Sequence, residues 1–487
     1  MRNPRLLFLP LFAILLAAHL CHVGILWEGD GYPLAAARQM AGGKALYRDI
    51  WFDKPPLLPA AYLLFGARDG AALRVAGALY ALLVCWIAWG FARDRWGERE
   101  GAWSAGLMGF FLVFDFPSSA VPVASDLLMV APHMAAVWLA WKGRRYWCGV
   151  AAGVAFWTSP KGLVVAAVCA LWDPRGIGWM AAGFATVGGA MAAWLSASGA
   201  LGAYWEEVWN WGRRYAAYTF VESPLRNGAV RTLGWMGFHA SVVVAAVWFA
   251  IRERKRDVYP FLAWLLVAAV GVQAGLRFFP RYYFLVLPVV VLMAARGIAL
   301  LGRRRRLAVL ALLAVPLVRF TPTYVTALSG AQWRDTAMDR DSRAAAAIIR
   351  PLASSGDTLL VWGYRPELYV YTRLAAATMY LDSQPLTGVP ADRHLNDSRP
   401  VETAQAAARR AELARSRPAF VADGLGLYNP QLAITNYPDL REWLAGYREV
   451  GRTGGTVIYG RVAGLNGPAR GAAAEDRHPP GPVPVRR

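Results

Sequence analysis

Two short stretches just after the first apolar segment gather the groups that could do chemistry. They are Trp27-Glu28-Gly29-Asp30-Gly31-Tyr32 and Tyr47-Arg48-Asp49-Ile50-Trp51-Phe52-Asp53-Lys54-Pro55-Pro56. Charge beside hydrocarbon is costly and marks function by default. A carboxylate there could take the proton of an attacking hydroxyl, which makes Asp30 the candidate base, with Glu28 beside it in an E-x-D pattern. Lys54, in a turn stiffened by two prolines, could hold an anion, with Asp53 positioning it or a sugar. Together with a greasy surface, this is the equipment for acting on a lipid-linked phosphate. The plainer reading is that Glu28 and Asp30 cap a surface helix starting near Pro33 and ending at Gly42-Gly43. On that reading Lys54 is an interfacial lysine that snorkels beside Asp53.

The elements that must position these residues follow from composition. The 487 residues are 56% hydrophobic, yet the mean hydropathy is only +0.31. A membrane part joined to a substantial polar domain accounts for both. Apolar segments near 6–26, 71–91, 101–114, 127–141, 147–157, 162–172, 177–195, 232–251, 259–276, 282–301 and 307–318 predict about eleven crossings. The formal charge of +20 would suggest nucleic acid in a soluble protein. Here the basic runs, such as Arg252–Arg256 and Arg303–Arg306, sit at the ends of apolar segments and read as cytoplasmic orientation signals. The N-terminus is then cytoplasmic, and everything after the last crossing lies outside. The expected division is a membrane module over 1–320 with its first outer loop at 27–69, an extracytoplasmic α/β domain over 321–465, and a disordered tail over 466–487 rich in Pro, Gly, Ala and Arg. Short apolar runs at 358–362, 419–422 and 456–459 supply its strands; 343–352, 401–415 and 439–447 supply its helices. The four cysteines lie in apolar segments and the six histidines make no ligand pattern, so neither disulfides nor a zinc site are expected.

With this topology, further polar residues fall on the same outer face. Lys161 stands between two short apolar segments, and Arg277, Arg281 and Tyr282 lie in the connection before a later span. Lys161 is a candidate phosphate ligand because a lysine there is expensive. Arg277 and Arg281 could offer a planar fork to the same phosphate, although arginines also simply mark span ends. Asp126 would position substrate or merely cap its helix. The aromatic-acidic stretch Tyr204–Trp211 is expected to be an interfacial helix anchored by its tryptophans.

Several of these segments resemble one family. Glu28–Tyr32, Ala36–Gly43 and Leu46–Pro56 resemble the first outer loop of the C-type (GT-C) integral-membrane glycosyltransferases. The similarity is greatest to glycosyltransferase family 39, with protein O-mannosyltransferases and the aminoarabinose transferase acting on lipid A. Ser125-Asp126-Leu127 resembles its second outer-loop acidic position. Gly153–Gly162 resembles a recurring span, with the usual lysine-proline order reversed at Pro160-Lys161. Gly275–Tyr283 resembles a motif in which histidine often precedes the tyrosine. Arg281 stands there, so no histidine role carries over. Asp357–Gly363 and Pro366–Tyr369 resemble the start of the outer domain in bacterial members. The likeness extends to about Val462.

The resemblance implies a polytopic α-helical enzyme of the bacterial cytoplasmic membrane. It would move a sugar from a polyprenyl-phosphate donor to a glycolipid, cell-wall glycan or protein. It also implies Asp30 as the catalytic base, with Glu28 orienting the acceptor or tuning Asp30. Direct displacement of the lipid phosphate would invert the anomeric centre. A monophosphate leaving group carries less charge than a nucleotide diphosphate, so no metal is expected to be obligatory; a divalent cation at the Glu28/Asp30 pair stays open. The rival readings are a transporter or flippase for lipid-linked sugars and a non-catalytic scaffold that binds the lipid. Transporters, however, carry paired repeats and midplane breaks, whereas these charges gather on one face.

Overall fold

A computed structural model describes residues 5–217, 221–395 and 398–462. The expected tail at 466–487 lies outside the described residues. The first part of the chain is a bundle of apolar helices. Among the described residues three helices are long and apolar enough to cross a membrane: Ala71–Trp96, Pro174–Ala197 and Arg303–Ser329. A fourth crossing results if Pro224–Phe238 and Ala240–Arg252, bent by 89°, count as one span. The sequence predicts about eleven because it counts every apolar run. Many of those runs fold as helices of 10–17 residues, such as Gly162–Trp172 and Leu287–Leu300. Each is shorter than the roughly 20 residues that a straight crossing needs.

Close packing in this bundle depends on missing side chains. Helix Arg145–Thr158 lies against Ile177–Ala197 through Gly149 and Gly183. A Cβ at Gly183 would meet the carbonyl of Tyr146, and one at Gly149 the carbonyl of Met180. Backbones this close gain dispersion contacts that hydrocarbon cannot otherwise drive.

Beyond Ser329, where the last long helix ends, the chain forms an α/β domain. Its strands are β1 (Thr358–Trp362), β2 (Ala375–Ala376), β3 (Phe420–Asp423), β4 (Tyr447–Arg452) and β5 (Val457–Arg461), ordered β2-β1-β3-β5-β4. β1 pairs in parallel with β2 and β3, while β5 runs antiparallel to β3 and β4. β1 and β3 are buried almost throughout and read as unbroken apolar runs. Helices Ala337–Ile349 and Ala404–Leu413 flank the sheet. The helix expected at 439–447 is only Arg441–Leu444, and the chain then enters β4. β4, Tyr-Arg-Glu-Val-Gly-Arg, has no regular apolar–polar alternation to announce it.

The first outer loop packs with this domain as well as with the bundle. One apolar core joins Tyr32, Tyr47, Trp51 and Phe52 to Leu359, Trp362, Leu368 and Val421, separate from the core of the bundle. Trp51 N donates to Met379 O at 2.8 Å, and Lys44 Nζ to Ala376 O at 2.7 Å. Gly183→Val should therefore lower stability by ~1–3 kcal/mol through overpacking. Gly189→Ala, with no atom near its Cβ position, should leave the melting temperature in detergent unchanged.

Candidate active site

The helix that carries the first acidic pair begins earlier than Pro33. Trp27 is its extended N-cap residue and Glu28–Ala41 is helical, with Glu28 and Asp30 in the first turn, where the dipole favours anions. Two residues apart on a helix means roughly 200° apart around its axis. Glu28 and Asp30 therefore face opposite ways. Glu28 is exposed and lines a cavity of 400 Å³ between the bundle and the outer domain. Asp30 is fully buried and is not among the residues lining the cavity.

Asp30 is enclosed by three donors. Tyr62 Oη donates to Oδ1 at 2.7 Å, Val123 N to the same oxygen at 2.9 Å, and Arg74 Nη1 to Oδ2 at 3.0 Å. Arg74, equally buried, also donates to the carbonyls of Ile25 at 2.8 Å and His22 at 3.3 Å. The helix turn points the expected base, Asp30, into the protein and away from the cavity, and there it joins the first outer loop to helix Ala71–Trp96. Glu28 and Asp30 accordingly do not face one another. Among the described residues, no group of three or more His, Cys, Asp or Glu could hold a metal ion.

The cavity brings most of the other expected residues together. Glu28, Asp53, Lys54, Asp126, Lys161, Arg277, Arg281 and Tyr282 all line it. Lys54 Nζ lies 2.9 Å from both oxygens of Asp53, and Tyr47 Oη donates to Lys54 O at 2.7 Å. Across the cavity Lys161 Nζ donates to Asp126 at 2.6 Å and sits 3.1 Å from the centre of the Tyr282 ring. Arg281 Nε approaches the same carboxylate at 3.9 Å. Burial pulls the Lys161 ammonium down to about 8, against the opposing pull of Asp126. Burial also works against the Arg281 guanidinium, but Glu28 and Asp126 outweigh it and hold Arg281 above its ordinary value.

Arg277, at the rim of the cavity, also reaches the outer domain. Its Nε binds Asp392 of the outer domain at 2.5 Å, Nη2 donates to Tyr215 O at 2.7 Å, and the guanidinium lies 3.8 Å from the Tyr215 ring. Leu276 and Phe278 on either side hold left-handed backbone, at φ 54° and 51°. Such positions cost of order 1–3 kcal/mol each and persist only where the surroundings fix them. Arg277 is thus a tie between bundle and outer domain at the cavity rim, with its donors already directed to protein acceptors.

Sequence reasoning missed the outer-domain wall. Tyr364, Gln384 and Asp392 line the cavity, and Asp382 lies buried behind them, accepting from Gln384 N at 2.8 Å. Burial, reinforced by Asp53, pushes the Asp382 carboxyl up to about 7. No motif marks these positions, which reach the site only through the fold of a domain far along the chain. The apolar wall is Val208, Trp209 and Trp211, from the stretch expected to lie in the interface.

No protein-family model matches the chain, and no curated protein matches it. The fold does have known counterparts, and they are GT-C glycosyltransferases. ArnT from Cupriavidus metallidurans bound to undecaprenyl phosphate superposes with a TM-score of 0.62 at 17% identity, covering 95% of this chain and 99% of that one. The apo state of the same protein gives 0.58 at 17% identity, covering 91% and 95%. The chain therefore shares its fold with ArnT, in line with the resemblance of its first loop.

Two measurements check the buried groups. Asp30→Ala and Arg74→Ala should each destabilise by about 3–5 kcal/mol, because each leaves a buried charge unpaired. The double variant should recover part of that loss in thermal melts. Asp382 holds its proton in the folded state to about pH 7, against 3.8 for the free group. Its contribution is full below about pH 4 and is lost as the pH rises through 7, since the native state binds the extra proton. Asp382→Asn should flatten that part of the stability profile.

Proposed function

We propose that this protein transfers a sugar from a polyprenyl-phosphate donor to an acceptor hydroxyl on the outer face of the cytoplasmic membrane. One observation carries the reading. A single cavity with an apolar tryptophan wall brings Glu28, a carboxylate with no hydrogen bond among the described residues, together with Lys54, Lys161 and Arg281. The likeness in fold to ArnT bound to undecaprenyl phosphate supports it. The acceptor is a glycolipid, a cell-wall glycan or a protein.

In this mechanism Glu28 takes the proton of the acceptor hydroxyl as its oxygen bonds to the anomeric carbon. The bond from that carbon to the phosphate oxygen breaks, and its electron pair leaves with the lipid phosphate. Lys54, Lys161 and Arg281 take up the charge that develops there. Attack opposite the leaving group inverts the anomeric centre. Asp53 and Asp126 hold the two lysines before the donor arrives, and Tyr282 supports Lys161 through its ring. Asp30 positions Glu28 by fixing the first turn of their shared helix.

The test is transfer of labelled sugar from a polyprenyl phosphate by purified protein. Glu28→Gln should lower kcat by about 10²–10⁴-fold, the usual worth of a general base, with polyprenyl-phosphate binding retained. The product should carry the inverted configuration. Full activity in Glu28→Gln would remove Glu28 as the base, and transport without transfer would favour a flippase.

A further inference from the structure

Directly behind the Asp53–Lys54 turn, a helix changes its pitch. Leu201–Tyr204 is α-helical, Trp205–Asn210 is π-helical, and Trp211–Ala217 returns to α. A π turn is rare and tends to occur where a side chain must be placed out of α register for function. Here it carries Glu206 and Glu207, and the two carboxylates serve different parts of the molecule.

Glu207 is buried, and its Oε2 accepts from Phe52 N at 2.8 Å. Phe52 is itself fully buried and immediately precedes Asp53 and Lys54. A buried amide left without an acceptor is penalised strongly, so this contact decides where the turn sits. Glu206 accepts from Gln405 Nε2 at 2.9 Å, and Arg214 donates to Gln405 Oε1 at 2.7 Å. Gln405 belongs to the outer-domain helix Ala404–Leu413. One helical segment therefore touches the donor-side turn and the outer domain at once.

The turn needs such support. Tyr47 at its start is a non-glycine residue at φ 66°, a conformation that persists only when over-determined by its surroundings. Its anchors are Tyr47 N to Ile50 O at 2.8 Å, Tyr47 Oη to Lys54 O, Trp51 N to Met379 O, and Phe52 N to Glu207. The Tyr47–Lys54 bond closes the turn on itself, whereas the Glu207 contact holds the residue just before Asp53 from a separate element.

We propose that Glu207 is a positioning residue for the donor site: through the Phe52 amide it sets the Asp53–Lys54 turn, and the π turn that carries it ties this setting to the docked outer domain. This rests on the donor-binding role proposed above for Lys54. The titratable groups facing Glu207 are Asp53, Tyr47, Glu206, Arg409 and Tyr380. Burial pushes its carboxyl well above the usual range, while the Phe52 amide and Arg409 pull the other way. The contact needs only an acceptor oxygen, which a carboxylate, a carboxylic acid and an amide all provide.

The experiment measures binding of a long-chain polyprenyl monophosphate in detergent to the full-length chain. Glu207→Ala should weaken binding about tenfold, in line with the loss of one buried hydrogen bond. Glu207→Gln should bind within about twofold of wild type, since it keeps an acceptor oxygen. In transfer assays the loss in Glu207→Ala should appear in donor KM more than in kcat. Unchanged binding by Glu207→Ala overturns the proposal, as does Glu207→Gln binding as weakly as Glu207→Ala. Should Glu207→Ala fail to fold, Glu207→Asp decides: weakened binding supports the proposal and wild-type binding overturns it. Failure of wild type to bind the polyprenyl monophosphate is a separate outcome that removes the reading of the cavity, and this inference with it.

Discussion

The buried pair of Asp30 and Arg74 is the contact on which the rest of the site depends. Asp30 takes hydrogen bonds from helix Leu57–Leu63 through Tyr62, from the 121–124 segment through Val123 N, and from helix Ala71–Trp96 through Arg74. Three elements that share no sequence proximity are thereby fixed to the first turn of one helix. Taking two charges out of water is costly, and the cost is offset only by full hydrogen bonding of both. Asp30 and Arg74 meet that condition with four protein partners between them besides each other's contact. Glu28 is aimed into the cavity because its neighbour two residues on is aimed away from it.

That same rotation marks where the sequence stops being legible. The residues of the first outer loop could be named from type and spacing alone, because charge beside hydrocarbon is rare. Their division of labour could not. An E-x-D pattern looks like a pair in an extended segment and like two opposed residues in a helix. Pro33 suggested a helix start, whereas it lies inside a helix that already began at Glu28. The strands β1, β3 and β5 were readable as bounded apolar runs, and β2 and β4 were not. β2 has only two residues, and β4 is half-exposed. Asp392 was invisible for another reason: Arg277 meets it across 115 positions of chain.

The packing of the first loop has a functional consequence. Its aromatic residues share one core with those of the outer domain, and Glu28, Asp53 and Lys54 line the cavity. The site is thus built at an interface, with Glu28, Asp53 and Lys54 on one wall and Asp126, Lys161 and Arg281 on the other. Tyr32 stacks on Phe52 at 4.6 Å and meets Tyr364 of the outer domain at 5.5 Å. Movement of the outer domain would therefore be transmitted to the loop that carries the acidic residues, while the opposite wall stays with the bundle.

Charge balance in the cavity bears on how a donor would be recognised. Lys54, Lys161, Arg277 and Arg281 each stand beside a carboxylate. Unpaired, these cations would carry a large desolvation penalty next to the apolar wall. On the donor reading, a phosphate gains only the difference between its own contacts and those the carboxylates already make. Asp126 holds Lys161 tightly at 2.6 Å but reaches Arg281 only at 3.9 Å. The guanidinium is a planar fork suited to two phosphate oxygens at once, and Asp126 leaves that capacity largely unused. On that reading, selection of a phosphate over a carboxylate would rest on Arg281 rather than on excess positive charge.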